Sequence, residues 1–284
     1  MTLHLLARPH HPAAPASATV WKMLFDRQHA LLHRWARPEF AQAVAGLGLR
    51  RDALPNPTAL GQLLHQRTGW TLLVTGAPVA EATYYAALAR RELPVVSRLR
   101  TFSEFDQPPG GPDLFADLLG RLPLLLEPGY ATALQQLGEA WALATTPAAA
   151  GLLRRFTHAT FELGLLAGPA GGRPQPYGAT LLTSPRHLHA LAAAEPTQLR
   201  PLAGAARYLA QLAAPGTARL TEAQPYFVAQ HWDELLAELH ELRRELAAAQ
   251  RPALGPHATP VATAPANGRA RAFAARVSSL RQAG

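Results

Sequence analysis

Cysteine is absent from this 284-residue chain. That excludes disulfides, thiolate metal sites and cysteine nucleophiles, and leaves the redox compartment open. Lysine is nearly absent: Lys22 is the only one, and arginine supplies the other basic side chains. This bias, together with abundant Ala, Pro and Gly, reads as genomic base composition. No window reaches the roughly 18 unbroken apolar residues of a membrane span. The opening stretch, MTLHLLARPHHPAAPASA, has a short apolar patch but no charged region leading into a longer hydrophobic one, so it is not read as a signal peptide. There is also no glycine-rich phosphate loop; GPAGG at 168–172 lacks the following lysine and hydroxyl residue. The expected location is cytoplasmic, with no membrane partner.

Hydrophobic residues make up 48% of the chain, enough for a sizeable core in one large domain or two small ones. The net charge of +8 invites a nucleic-acid reading, but its distribution argues otherwise. Residues 251–284 hold Arg251, Arg269, Arg271, Arg276 and Arg281 and no acid, in a stretch rich in Ala, Pro and Gly. Such a composition buries too little apolar surface to offset its ordering entropy. With Phe273 as its only aromatic, it also lacks the interleaved aromatics of a nucleic-acid binder. The expected organisation is a flexible segment at 1–18, one domain at 19–250 and a disordered basic tail at 251–284, with no nucleic-acid partner and a monomeric state.

Helical periodicity dominates that domain. ATVWKMLFDRQHALLHRWA gathers Trp21, Leu24, Phe25, Leu31, Leu32 and Trp35 towards one side, and RPEFAQAVAGLGL is a shorter second helix. NPTALGQLLHQRTG predicts a third, with Asn56 as cap, Pro57 in its first position and Gly69 at its end. WTLLVTG reads as a strand, VAEATYYAALARRE as a helix and PVVSRLR as a strand. GYATALQQLGEAWALAT and AAAGLLRRFTHATFELGLL read as long helices. QPYGATLLTS predicts strand and turn, PRHLHALAAAE a helix begun by Ser184 and Pro185, and TARLTEAQPYFVAQ two extended pieces. In the final helix, HWDELLAELHELRRELAAAQ, Leu235, Leu239, Leu242 and Leu246 form a seam. It spans too few heptads for a coiled coil, and docking on its own domain is the preferred reading. The fold expected is mainly α with a few short β-strands.

One stretch resists this reading. PDLFADLLGRLPLLL opens as a helix, with Pro112 and then Asp113 in the first turn. Yet Arg121 stands among Leu114, Phe115, Leu118 and Leu122, beside the acid Asp117. The surrounding segments explain it. RQHALL, TGW, LARRELPVVSRLR, PDLFADLLGRLPLL, FTHATFELGL, YGATLLTS and QPYFVAQ, in this order, resemble the pterin-dependent aromatic amino acid hydroxylases, most closely the compact bacterial phenylalanine hydroxylases. The resemblance covers roughly residues 19–245 and implies an aromatic amino acid hydroxylase-like single domain.

It also implies ferrous iron held by two histidines and a carboxylate, with a tetrahydropterin as co-substrate. The family motif P-D-x-x-H-[DE]-L-x-G-H-x-P-L carries both histidines, and T-x-E-F-G-L carries the carboxylate. Here the histidine positions are Ala116 and Arg121, and only Glu162 is retained. A methyl group offers no lone pair, and a guanidinium has five donors and no acceptor. No metal or cofactor is therefore expected at the inherited centre. The expected alternative to iron is a bond from Arg121 to Glu162, shared with Asp117.

The resemblance gives Arg100 the role of pairing with the amino acid's carboxylate. It places Tyr84 near the pterin ring and Asp117 beside the first histidine position, and it retains Tyr177, Gly178 and Ser184. Thr180 stands where the family prefers glycine, and Thr157 and His158 where it has aromatics. PPGGPD lacks the threonine and glutamate usual before P-D and is one residue longer. His158 lies four residues before Glu162, so both can lie on one helix face. His29 and His33 share that spacing but read as a solvated face. His187 and His189, two apart, are not brought together on a helix. The function implied is a pseudoenzyme that binds an aromatic amino acid, a pterin or a partner. The alternative is an active phenylalanine monooxygenase with a rearranged metal site or altered chemistry.

Overall fold

The computed structural model describes residues 15–106, 111, 113–169, 172–212 and 225–250. The expected tail and most of the expected N-terminal segment lie outside these residues, as does the first extended piece of TARLTEAQPYFVAQ. The chain begins with three helices, α1 (Pro15–Trp35), α2 (Pro38–Gly46) and α3 (Pro57–Thr68). The third starts and stops as its sequence dictates. The Asn56 side chain accepts from the Thr58 and Ala59 amides, Pro57 takes the first position, and Gly69 closes the helix at φ 75°, where a side chain would be strained.

Strand β1 (Thr71–Thr75), helix α4 (Glu81–Ala89) and strand β2 (Glu92–Val96) form a βαβ unit with a two-stranded parallel sheet, Thr71 opposite Glu92 and Thr75 opposite Val96. PVVSRLR does not remain a strand to Arg100. Beyond Val96 the backbone turns to the next helix, where the Leu114 amide donates to the Arg98 carbonyl and the Arg100 amide to the Asp113 carboxylate. That helix is α5 (Leu114–Gly120). Asp113 lies just before it as the cap, accepting from the Ala116 amide at 3.0 Å, rather than inside its first turn.

Two longer helices follow, α6 (Pro128–Ala140) and α7 (Pro147–Thr157). Each stops earlier than its apolar pattern suggests. The first tightens into a 3₁₀ turn at Trp141–Leu143, and the second widens into a π turn at His158–Glu162. Strand β3 (Leu165–Leu166) then pairs antiparallel with β4 (Gln175–Pro176) and parallel with β6 (Tyr226–Ala229). The stretch expected as a turn after β4 is a helix, α8 (Ala179–Thr183), followed at once by α9 (Pro185–Ala192). Strand β3 falls where the sequence reading had the end of a long helix, and two further elements have no counterpart in it at all. They are β5 (Leu199–Pro201), paired parallel with β6, and α10 (Ala205–Gln211).

Helix α11 (Trp232–Ala249) docks on its own domain. Leu235, Leu239, Leu242 and Leu246 are each 0% exposed and join the main hydrophobic core. Burying each such leucine contributes about 1.5–3 kcal/mol. From the same helix the buried Glu238 accepts from the Gly204 and Ala206 amides, supplying α10 with the cap that its own sequence lacks. Among the described residues no helix is long and apolar enough to cross a membrane.

Candidate functional site

Helix α5 delivers two acids and an arginine to one region because they recur at helical spacing: Asp113 as cap, Asp117 one turn on, and Arg121 just past the end. Asp113 and Arg100 form a bidentate pair, Nε to Oδ2 at 2.7 Å and Nη2 to Oδ1 at 2.9 Å, with side chains 2% and 5% exposed. The Arg100 guanidinium also lies over the Phe115 ring and donates to the Phe105 carbonyl.

Arg121 sits at the centre of a second network. Its Nη1 donates to Asp117 Oδ1 at 3.2 Å, and its Nη2 donates to Glu162 Oε1. The remaining oxygens are also engaged. Asp117 Oδ2 accepts from the Val96 amide at 2.9 Å, and Glu162 Oε2 accepts from the Thr180 hydroxyl at 2.8 Å. So α5, β2, the π turn and α8 meet at one guanidinium. Gly178 permits this approach, because a Cβ there would overlap the Glu162 backbone. The expected bond from Arg121 to Glu162, shared with Asp117, is present.

Burial pushes the Asp117 carboxyl up to about 6, against the pull of Arg121. Burial also disfavours the Arg121 charge, but Glu162, Tyr84 and Asp117 outweigh it and hold the guanidinium firmly protonated. Tyr84 is raised by its own burial, with Arg121 acting in the opposite direction.

Two cavities flank Arg121. The larger, about 750 Å³, is bounded by Arg100, Ala116, Arg121, His158, Glu162, Thr180 and Ser184 of the expected site. The smaller, about 250 Å³, is bounded by Tyr84, Tyr85, Val96, Asp117 and Arg121. Tyr177 lines neither among the described residues. It is 1% exposed and packs behind the site against Trp232 and Tyr130, at ring-centroid distances of 5.1 and 6.2 Å. His158 and Glu162 do border one cavity, but through the π turn rather than a regular helix face.

The sequence reading missed Arg27, Asp106, Thr183 and Arg186, and set His187 aside; all five are on the wall of the larger cavity. His187 was visible beside its turn. Its partner in space is Ser184, with Nδ1 and Oγ at 2.9 Å, and not His189. Burial lowers the His187 pKa, helped by Arg186 and His158. His29 and His33 border a separate cavity of about 710 Å³ with Phe25, Phe40 and Val44. Among the described residues, no three His, Asp or Glu side chains are grouped so as to hold a metal ion.

The profile of the biopterin-dependent aromatic amino acid hydroxylases matches residues 13–267. The chain belongs to this family. It is 32% identical over 197 residues to a phenylalanine-4-hydroxylase of Ralstonia nicotianae, covering 68% of this chain and 61% of that one. It is 34% identical over 164 residues to the phenylalanine-4-hydroxylase of Chromobacterium violaceum, covering 58% and 54%. The chain thus spans less than two thirds of the length of these curated relatives. Its fold superposes on the C. violaceum phenylalanine hydroxylase with bound iron(III) and oxidised 7,8-dihydrobiopterin at a TM-score of 0.69, with 28% identity and 84% of each chain covered. The family's mainly helical fold with short strands is the one described above.

Proposed function

We propose that this chain is a family member that no longer performs iron- and pterin-dependent hydroxylation, and that it acts by binding a small molecule in the inherited cleft. The observation behind this reading is the bond from Arg121 to Glu162. In the family motif the position of Arg121 belongs to a histidine ligand. A guanidinium has no lone pair for a metal and repels a cation, and the methyl of Ala116 offers nothing in its place. Glu162, the retained carboxylate, already accepts from Arg121 and Thr180. The donor set therefore does not fit ferrous iron, and no reaction step is assigned through it.

The other inherited roles stand as proposals on the same footing. Arg100 borders the larger cavity but is held by Asp113, so any ligand carboxylate would compete for its remaining N–H groups. Tyr84 gives the smaller cavity an aromatic wall where the resemblance would place a pterin. A rebuilt metal centre would need His158 or His187 to join Glu162, and no such group of three exists among the described residues.

The test is catalytic. Supplied with ferrous iron, a tetrahydropterin and phenylalanine, the purified chain should form no tyrosine above the protein-free control. Tyrosine formation that disappears in Glu162→Gln would show that the retained carboxylate still serves a metal, and this reading would fail.

A further inference from the structure

The larger cavity has an unusual wall for a descendant of aromatic amino acid hydroxylases. No described residue on it carries a phenyl, phenol, indole or large aliphatic group. Its apolar members are Gly111, Ala116, Ala179 and Pro185, all small. A phenyl ring gains affinity by removing apolar surface from water against a matching apolar surface, and this wall provides little of it. Four arginines and two histidines face two carboxylates, with three hydroxyl side chains among them.

Most of that charge is matched. Arg27 pairs with Asp106, Arg100 with Asp113, and Arg121 with both Asp117 and Glu162. Arg186 has no ion-pair partner among the described residues. Next to it, His187 directs Nδ1 to Ser184, and its Nε2 has no hydrogen-bond partner among the described residues. His158, standing where the family motif has an aromatic, borders the same cavity and is close enough to influence His187. Beyond those pairs, the cavity wall therefore offers an unmatched guanidinium and two imidazoles.

We infer that this cavity binds a small, non-aromatic organic oxyanion, a dicarboxylate or a phosphate ester, with Arg186 as its principal charged contact and His158 and His187 beside it. The inference rests on the binding reading above and names the ligand class. A guanidinium grips either kind of oxyanion through paired N–H groups, so the two sources share one chemistry.

The experiment is calorimetric titration of the full chain with succinate, inorganic phosphate and phenylalanine in parallel, at low and high potassium chloride. At least one of the two anions should bind, and which one does so separates the two sources. Its affinity should exceed that for phenylalanine and weaken with salt. It should fall about tenfold or more in Arg186→Ala and recover in part in Arg186→Lys. Arg186 is exposed, so neither variant should disturb the fold, and a melting curve checks this. The inference is overturned if neither anion binds, if phenylalanine binds more tightly than both, or if Arg186→Ala leaves the affinity unchanged. Failure here with no tyrosine formed leaves the loss of hydroxylation standing. Tyrosine formation would instead remove that reading.

Discussion

Arg100 and Arg121 are two arginines held by acids from the same short helix, yet their surroundings differ. Arg100 meets Asp113 one to one, with both side chains at most 5% exposed and a cap, an amide and a ring contact closing the arrangement. Arg121 meets two acids, is 12% exposed, and borders a cavity on either side. Burial of its carboxyl is the main reason Asp117 titrates high, against the pull of Arg121, with the charges of Asp113 and Glu162 adding smaller upward pushes. The first pair is a closed fastening between the segment that follows β2 and the cap of α5. The second is an open network between two cavities, and under the proposed function its arginine stands where the family motif has a metal ligand.

Breaking the closed pair should have the largest effect. Asp113→Ala leaves the Arg100 guanidinium buried without its carboxylate and uncaps α5. The expected loss is about 4–5 kcal/mol, from a broken buried pair plus a lost cap, read from urea unfolding. The open network should respond less. Arg121→Ala strands two acids beside the cavity and should cost about 3 kcal/mol, the low end for a buried pair because water can reach it. Adding Glu162→Gln to that variant should restore part of the loss, since one of the stranded charges is removed. If the double variant is less stable than Arg121→Ala alone, the two side chains do not balance one another.

A pH titration separates the two pairs further. The folded pKa of Asp117, about 6, lies above its ordinary 3.8, so the folded state holds this proton more tightly than the unfolded chain does. Its contribution to stability is full below about pH 4 and is lost as the pH rises through 6, a fall of about 2–3 kcal/mol. Asp117→Asn should flatten that part of the stability profile. An unchanged slope would mean that the proton sits elsewhere. The smallest effect expected is that of Thr180→Ala, which removes one hydroxyl from Glu162 and should cost about 1 kcal/mol.

Much of this was legible in the chain itself, for physical reasons that vary by element. Asn56, Pro57 and Gly69 bound α3 because capping is local chemistry, and the leucine seam of α11 reports its buried face directly. Elements fixed by distant partners were not legible. Strand β5 exists because β6, more than twenty residues later, pairs with it, and α10 receives its cap from Glu238 on α11. The π turn before Glu162 ends a helix whose apolar pattern runs on without a break. The motif positions carried Arg121, Asp117 and Glu162 to one place. Arg186 went unnoticed, and His187 was weighed only against His189, because no motif marks them; only the packing of α9 against the cavity does.

The central claim is that an arginine has taken the place of the metal, and its most direct test is iron content. The native chain and an Ala116→His/Arg121→His variant would be loaded with ferrous iron side by side, desalted and analysed for iron per chain. Far less than one iron in the native chain, with a rise towards one in the double variant, is the result expected if Arg121 and Ala116 alone withhold the site. One iron per native chain, lost on Glu162→Gln, would contradict the account.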